Sequence, residues 1–247
     1  MEILLDVPER KISEPYFSLL QIIEFSRKNY IKEIEGCISF LRSKKSPTRE
    51  WFEFIYCILA GTQVRTSTVR KAFESLFEII GIDLNLENVA HSEKIEDRIK
   101  FVLKLNGYRF YESKANLIIN VAKFFIIYDY NPDKFLEKYK DYKILRTELR
   151  KIKGIGLKIA SHWLRNIGIE IPIIDSHIKD ILIYTGIIRK KKSAYYDFEN
   201  KIFELSVKFD INLFILDLAI WIFGREFCAN RKCHKCILNS SCLKIER

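Results

Sequence analysis

Apolar residues recur at helical spacing through nearly the whole chain, and no stretch alternates as a half-buried strand would. Phe17, Leu20 and Ile23 mark one face after Ser13-Glu14-Pro15, a helix start. Ile31, Ile34 and Ile38 mark a second helix over 30–43. Lys44-Lys45-Ser46-Pro47 interrupts the pattern, and Ser46 with Pro47 fits an N-cap followed by a first-turn proline. A domain boundary is placed there. The helix over 48–60 carries Trp51, Phe54, Ile55 and Ile58. The next, over 65–80, carries Val69, Ala72, Phe73, Leu76 and Phe77. Residues 81–90 read as a loop. Further helices are predicted over 92–105 and 111–127, a short one from Asn131-Pro132, and one over 142–152. Others follow over 157–167, 176–186, 194–208 and 212–223, with Arg189–Lys192 as a basic linker. The class is all-α.

Composition narrows the partners. The chain has 247 residues, 48% of them hydrophobic, enough for one sizeable core or two small ones. Its formal charge is +10, which suits a polyanion. Nearly all of that excess falls in two stretches, 146–166 and 228–247. The opening MEILLDVPERK has no basic leader, and no segment offers about 20 uncharged apolar residues. A cytoplasmic, nucleoid-associated monomer without a membrane span is expected. Four of the six cysteines lie in the last 20 residues, which reads as metal binding rather than disulfides.

The first basic stretch contains the sharpest pattern. Lys153-Gly154-Ile155-Gly156 makes a tight turn between two helical runs, and glycine there permits positive φ and close backbone approach. The second helix presents its first N–H groups to an anion. Lys158 sits in its first turn. Asp175 follows 17 residues later, at the head of another helix. Two readings are open for each: Lys158 as a solvated lysine or as an amine nucleophile, Asp175 as a plain N-cap or as a carboxylate facing developing positive charge. The helix dipole and neighbouring Lys151 and Lys153 disfavour the ammonium form of Lys158. His162 lies one turn on, where packing is at least as natural as contact with a ligand, so it stays outside the catalytic set. His177 is equally ambiguous.

The stretch 149–177, LRKIKGIGLKIASHWLRNIGIEIPIIDSH, resembles the helix-hairpin-helix plus Asp motif of the endonuclease III-like DNA glycosylase superfamily. Its wording is closest to the archaeal-type 8-oxoguanine glycosylase/lyase branch, as is Asn106–Ala115. The resemblance covers roughly 48–242. It implies a helical-barrel domain over 47–164, with the hairpin at about 144–167. A second helical domain would be built from 1–46 and 165–247, with a DNA-binding groove between the two. It implies that Lys158 and Asp175 are catalytic, that Lys153, Gly154, Ile155 and Gly156 bind DNA, and that Gln63 fills the gap left by an extruded nucleotide. The implied activity is a bifunctional DNA glycosylase/AP lyase on double-stranded DNA with a damaged base or an abasic site. 8-Oxoguanine is favoured over oxidised pyrimidines. A monofunctional glycosylase and a non-catalytic DNA binder are the rivals, and Lys158 paired with Asp175 argues against both.

Cys228, Cys233, Cys236 and Cys242 are spaced C-x4-C-x2-C-x5-C. Four such thiolates suit zinc or a [4Fe–4S] cluster. The endonuclease III family carries an iron–sulfur loop with the same last two intervals and a longer first one, so the resemblance implies the [4Fe–4S] cluster, with zinc as the alternative. It also implies that Arg231 and Lys232 touch phosphates. Cys37 and Cys57 lie on apolar faces and read as core.

Overall fold

The computed structural model describes residues 14–61, 64–189 and 193–244. Ser13, Gln63 and Lys190–Lys192 lie outside them. The described residues are helical throughout, with no strand.

The chain enters on α1 (Glu14–Arg42), where the two expected helices run on as one, interrupted by the non-helical backbone of Tyr30 (φ −130°, ψ 25°). Ser46 then adopts extended backbone and accepts from the Arg49 N–H at 3.2 Å. It caps α2 (Pro47–Ala60), with Pro47 in the first turn, where its missing N–H costs nothing. α3 (Thr66–Ile80) follows. The loop expected over 81–90 is instead ordered as a 3-10 turn (Gly81–Leu84) and a short helix, α4 (Leu86–His91). Asn85 accepts from the Asn88 N–H at 2.9 Å, and Leu84, Leu86 and Val89 are buried. Three core contacts and one cap make a helix of a segment too short to show a period.

Next come α5 (Glu93–Leu105) and α6 (Tyr111–Phe124). The end of the predicted 111–127 helix is a 3-10 turn, Phe125–Tyr128, closed by Asp129 in the left-handed region. α7 (Pro132–Lys138) and α8 (Tyr142–Leu149) are capped by Asn131 and Asp141, and α9 is Leu157–Asn166. α10 (Ser176–Tyr184), α11 (Tyr195–Phe209) and α12 (Leu213–Phe223) complete the set. α12 runs into a π turn, Gly224–Ala229, that no sequence pattern announced.

The chain folds into two compact units: Ser43–Ile169, and the two chain ends, up to Arg42 and from Glu170 onward. The first centres on aromatic rings. Phe54 and Trp163 stack at 4.5 Å with planes 15° apart, and Phe125 and Phe135 pack on Trp163. The indole N–H of Trp163 donates to the Glu50 carbonyl and that of Trp51 to the Leu84 carbonyl, both at 2.8 Å. Each ring therefore gains apolar burial without an orphaned donor. In the second unit Leu19, Ile22 and Ile23 of α1 meet Ile178, Ile202, Leu216 and Ile220. The Ser26 hydroxyl donates to the Ala219 carbonyl at 2.9 Å, tying α1 to α12.

One buried acid makes the first unit sensitive to pH. Glu50 is fully buried. Desolvation, then the neighbouring Asp133 carboxyl, pushes its pKa up to about 8. The folded form thus holds a proton that the unfolded chain releases near its usual 4.5. Its contribution is complete below that value and is lost as pH rises through about 8. Glu50→Gln keeps the hydrogen-bonding shape without the proton requirement. Melting curves are expected to show the variant gaining on the parent between pH 5 and pH 9.

Candidate functional site

The hairpin between α8 and α9 is set by one backbone conformation. Gly154 has φ +101°, which L side chains rarely adopt. A Cβ there would also stand 3.1 Å from Leu117 Cδ1 on α6, so the turn rests directly on that helix. Ile152 and Ile155 are buried on either side of it, and the Ile155 N–H donates to the Ile152 carbonyl at 3.0 Å. Lys153 is exposed. Gly156 has ordinary backbone (φ −92°, ψ 176°) and open space where a Cβ would go. It is the N-cap of α9 and offers no side chain to the first turn, and the helical bonding begins with the Ala160 N–H on the Gly156 carbonyl. The N–H groups ahead of it suit a phosphate oxygen.

Lys158 is half-buried in that first turn. Around it burial keeps a thiol and an imidazole neutral. Cys57 on α2 is fully buried, and burial holds its thiol well above the usual value. The Asn166 amide donates to the Glu53 carboxylate (2.9 Å) and to the Cys57 sulfur (3.7 Å). His162 is packed edge-on to Tyr56 with its Nδ1 buried and unbonded. Desolvation, then the charges of Arg165 and Lys158, drive its pKa down to about 3, so the ring stays neutral.

A residue outside the predicted set also belongs here. Lys114 on α6 is only 6% exposed, and burial, then the charge of Lys158, lowers its pKa to about 8. The sequence did carry a signal. Lys114 shares the spacing of Leu117, Ile118 and Val121, the buried face of its helix, where a lysine is out of place.

Asp175 belongs to the other unit and caps α10, its carboxylate accepting from the Ile178 N–H at 3.1 Å. The run before it is held by α12 and α11. The Ile173 N–H donates to the buried Asp217 carboxylate (3.3 Å) and the Ile174 N–H to the Tyr195 hydroxyl (3.4 Å). His177 packs where α12 ends: a Cβ on Gly224 would lie 2.9 Å from His177 Cβ, and Trp221 meets the imidazole edge-on. Both ambiguous histidines are therefore packing residues in the folded chain.

The four C-terminal cysteines are part-buried and form no disulfide. Cys228 lies in the π turn. Burial, then the charges of Cys236 and Cys242, pushes its thiol up to about 12. Burial likewise raises Cys236, against an N–H from Leu238 that lowers it. The sulfurs thus act on one another, and their thiolates need a cation to be stable there, which fits a metal or a cluster. Among the described residues, no three His, Cys, Asp or Glu side chains are already drawn to ligating positions. In the same loop Arg231 is exposed with φ +53°, whereas the Lys232 ammonium is paired with Glu226.

These features define a helix-hairpin-helix protein with a lysine in the hairpin's second helix. A family model described as 8-oxoguanine DNA glycosylase matches residues 36–211, and the chain belongs to that family. The 8-oxoguanine DNA glycosylase/AP lyase of Saccharolobus solfataricus is 32% identical over 201 residues, 76% of this chain and 88% of that protein. That of Methanocaldococcus jannaschii is 31% identical over 214 residues, 82% and 95% of the two chains. The solved structure of the M. jannaschii 8-oxoguanine glycosylase/lyase with a 15mer DNA containing 8-oxoguanine superposes with a TM-score of 0.68 at 27% identity. It covers 83% of this chain and 95% of its own. A trapped endonuclease III–DNA covalent intermediate gives 0.67 at 18% identity, over 94% and 97%, and shares the fold. The family match stops short of the cysteine loop. No helix of the described residues is long and apolar enough to cross a membrane.

The two hairpin glycines should respond differently to substitution. Gly154→Ala forces a strained backbone against Leu117 and is expected to cost about 1–3 kcal/mol, read as a lower melting temperature. Gly156→Ala meets no atom and is expected to stay within about 0.5 kcal/mol of the parent.

Proposed function

We propose that the chain is a bifunctional DNA glycosylase/AP lyase that excises 8-oxoguanine from duplex DNA and cleaves the resulting abasic site by β-elimination. Lys158 would be the nucleophile and Asp175 the carboxylate that stabilises charge at C1′. The observation that carries this reading is the hairpin itself: a glycine-enforced turn that leaves a half-buried lysine in the first turn of α9, within the span matched by the family. An amine so placed attacks C1′ as the base departs, the C1′–O4′ bond then opens with a proton to O4′ to give the iminium, and the iminium acidifies the 2′ proton so that the 3′ phosphate can leave. Asp175 supplies fixed negative charge, its second oxygen left for the sugar while the first is occupied by the α10 cap. Names of the relatives favour 8-oxoguanine over an oxidised pyrimidine. Hairpin residues Lys153 to Gly156 would hold a phosphate. Arg231 is the better placed of the two loop cations to hold another, since Lys232 is engaged by Glu226. A monomer acting in the cytoplasm on nucleoid DNA fits the charge distribution.

The test is borohydride trapping on abasic-site DNA. The parent is expected to form a covalent adduct and Lys158→Gln none, because an amide forms no Schiff base. Asp175→Asn keeps the cap shape but loses the charge. Excision of intact 8-oxoguanine is expected to fall by something like 10²–10³, with a smaller loss at a preformed abasic site. Normal trapping by Lys158→Gln would remove Lys158 as the nucleophile.

For the C-terminal loop we infer a [4Fe–4S] cluster on Cys228, Cys233, Cys236 and Cys242, with zinc as the alternative occupant. Its chemistry here would be structural, neutralising buried thiolates and fixing the loop that bears Arg231. Protein purified anaerobically from iron-replete cells is expected to be yellow-brown with about four irons per chain. Cys236→Ser is expected to lose that colour and to lower the melting temperature. One zinc per chain and no iron would overturn the assignment.

A further inference from the structure

The backbone that leads into Asp175 belongs to no helix, yet each of its last N–H groups is taken. The Ile173 N–H donates to the Asp217 carboxylate on α12 at 3.3 Å, and the Ile174 N–H to the Tyr195 hydroxyl on α11 at 3.4 Å. The Asp175 N–H folds back on the Ile173 carbonyl at 3.1 Å, a three-residue turn. Side chains and a local turn thus satisfy donors that a helix would otherwise bond. Ile171 and Ile174 are buried, and Ile174 joins Ile178, Phe198 and Leu216 in one apolar cluster. Asp217 is the odd member of this arrangement. α12 reads LFILDLAIWIF, and Asp217 is its one charged residue, only 3% exposed. A carboxylate in such a place is costly, and an apolar side chain there would serve packing better. What the carboxylate does that an apolar group cannot is accept the Ile173 N–H.

Resting on the reading of Asp175 as the carboxylate that stabilises charge at C1′, we propose that Asp217 and Tyr195 are positioning residues for it. They act through Asp175 and not on the DNA. The α10 cap fixes one Asp175 oxygen relative to its own helix, by the Ile178 N–H at 3.1 Å. The two bonds to Ile173 and Ile174 fix the backbone from which that side chain projects, and they come from two other helices. Asp175 is therefore held from both sides, by the helix it begins and by the helices packed behind the residues before it. Stabilisation of positive charge depends on the oxygen standing in place before the charge develops. A displacement of about 1 Å can cost on the order of 10² in rate. Departure of an intact base develops that charge at C1′, so a misplaced Asp175 is felt chiefly there. At a preformed abasic site the aldehyde is already present and the carboxylate matters less.

The experiment is single-turnover cleavage by the full chain on two duplexes, one with intact 8-oxoguanine and one with a preformed abasic site. Tyr195→Phe removes one hydroxyl, and Asp217→Leu removes the other acceptor at similar size. Each is expected to lose about 10-fold or more on 8-oxoguanine and about threefold or less at the abasic site. Asp217→Asn keeps an oxygen for the Ile173 N–H and is expected to stay within about threefold of the parent on both. In an Asp175→Asn background Tyr195→Phe and Asp217→Leu are expected to add no further loss, because the group they place has lost its charge. Equal losses on the two duplexes, or the same factor in both backgrounds, would overturn the proposal and mark a packing role. Parent-like rates from Tyr195→Phe and Asp217→Leu would also overturn it, and a loss by Asp217→Asn as large as by Asp217→Leu removes Asp217 from it. Asp175→Asn by itself tests the underlying reading. If that variant excises 8-oxoguanine at the parent rate, the role of Asp175 falls; if it is slow while the other losses simply add, only the positioning role falls. Circular dichroism melts show whether each fold is kept, and if Asp217→Leu unfolds, Tyr195→Phe decides the matter in both backgrounds.

Discussion

The hairpin geometry depends on the contact between Leu117 and the backbone of Gly154. At 3.1 Å from where a Cβ would sit, Leu117 would have to give way to any side chain, and the turn above it needs a φ that glycine alone adopts freely. That contact fixes how α9 leaves the turn, and with it the place of Lys158. Trp163, further along the same helix, anchors the other end by stacking on Phe54 and donating to the Glu50 carbonyl. The catalytic candidate is thus carried on a helix pinned at both ends, which is how a flexible four-carbon side chain is held to a useful region.

Burial does a second job around Lys158. Cys57 stays a thiol and His162 stays neutral, because neither can ionise cheaply away from water. Glu50, deeper in the same unit, keeps its proton for the same reason. The unit therefore carries acids and bases that look chargeable in the sequence but are silent in the fold. Among the described residues, the cations buried in the same unit are Arg146, Arg165 and Lys114.

In the unit built from the chain ends, one network pairs partly exposed charges. Arg225 grips the Glu33 carboxylate with both amine groups, at 2.7 and 3.0 Å, and also lies over Trp221. Glu226, the next residue, holds Lys232 and lies against Tyr30 at the interruption of α1. The π turn makes this arrangement possible. One extra residue per turn re-aims the side chains after Phe223, sending consecutive residues to separate partners and bringing Cys228 to the start of its loop. Of the two cations between the first cysteines, one is spent on this network and one remains exposed.

The sequence alone determined the helical class, most helix starts and the hairpin, because those obey local rules. Apolar spacing sets the faces, Ser46, Asn131 and Asp141 each cap the helix that begins at the next residue, and two glycines flank one buried isoleucine. It also singled out Lys158, Asp175 and the four cysteines, since their spacing is itself the signal. Tertiary structure decided what spacing does not encode. α4 forms because Leu84, Leu86 and Val89 find a core, although six residues are too few to declare a helix. Lys232 is committed because Glu226, six residues earlier on the π turn, claims it. The pKa of Lys114 is lowered only because a folded interior surrounds it. Burial is a property of neighbours brought together from far along the chain, and the Glu226–Lys232 pair depends on a π turn that no periodicity announces.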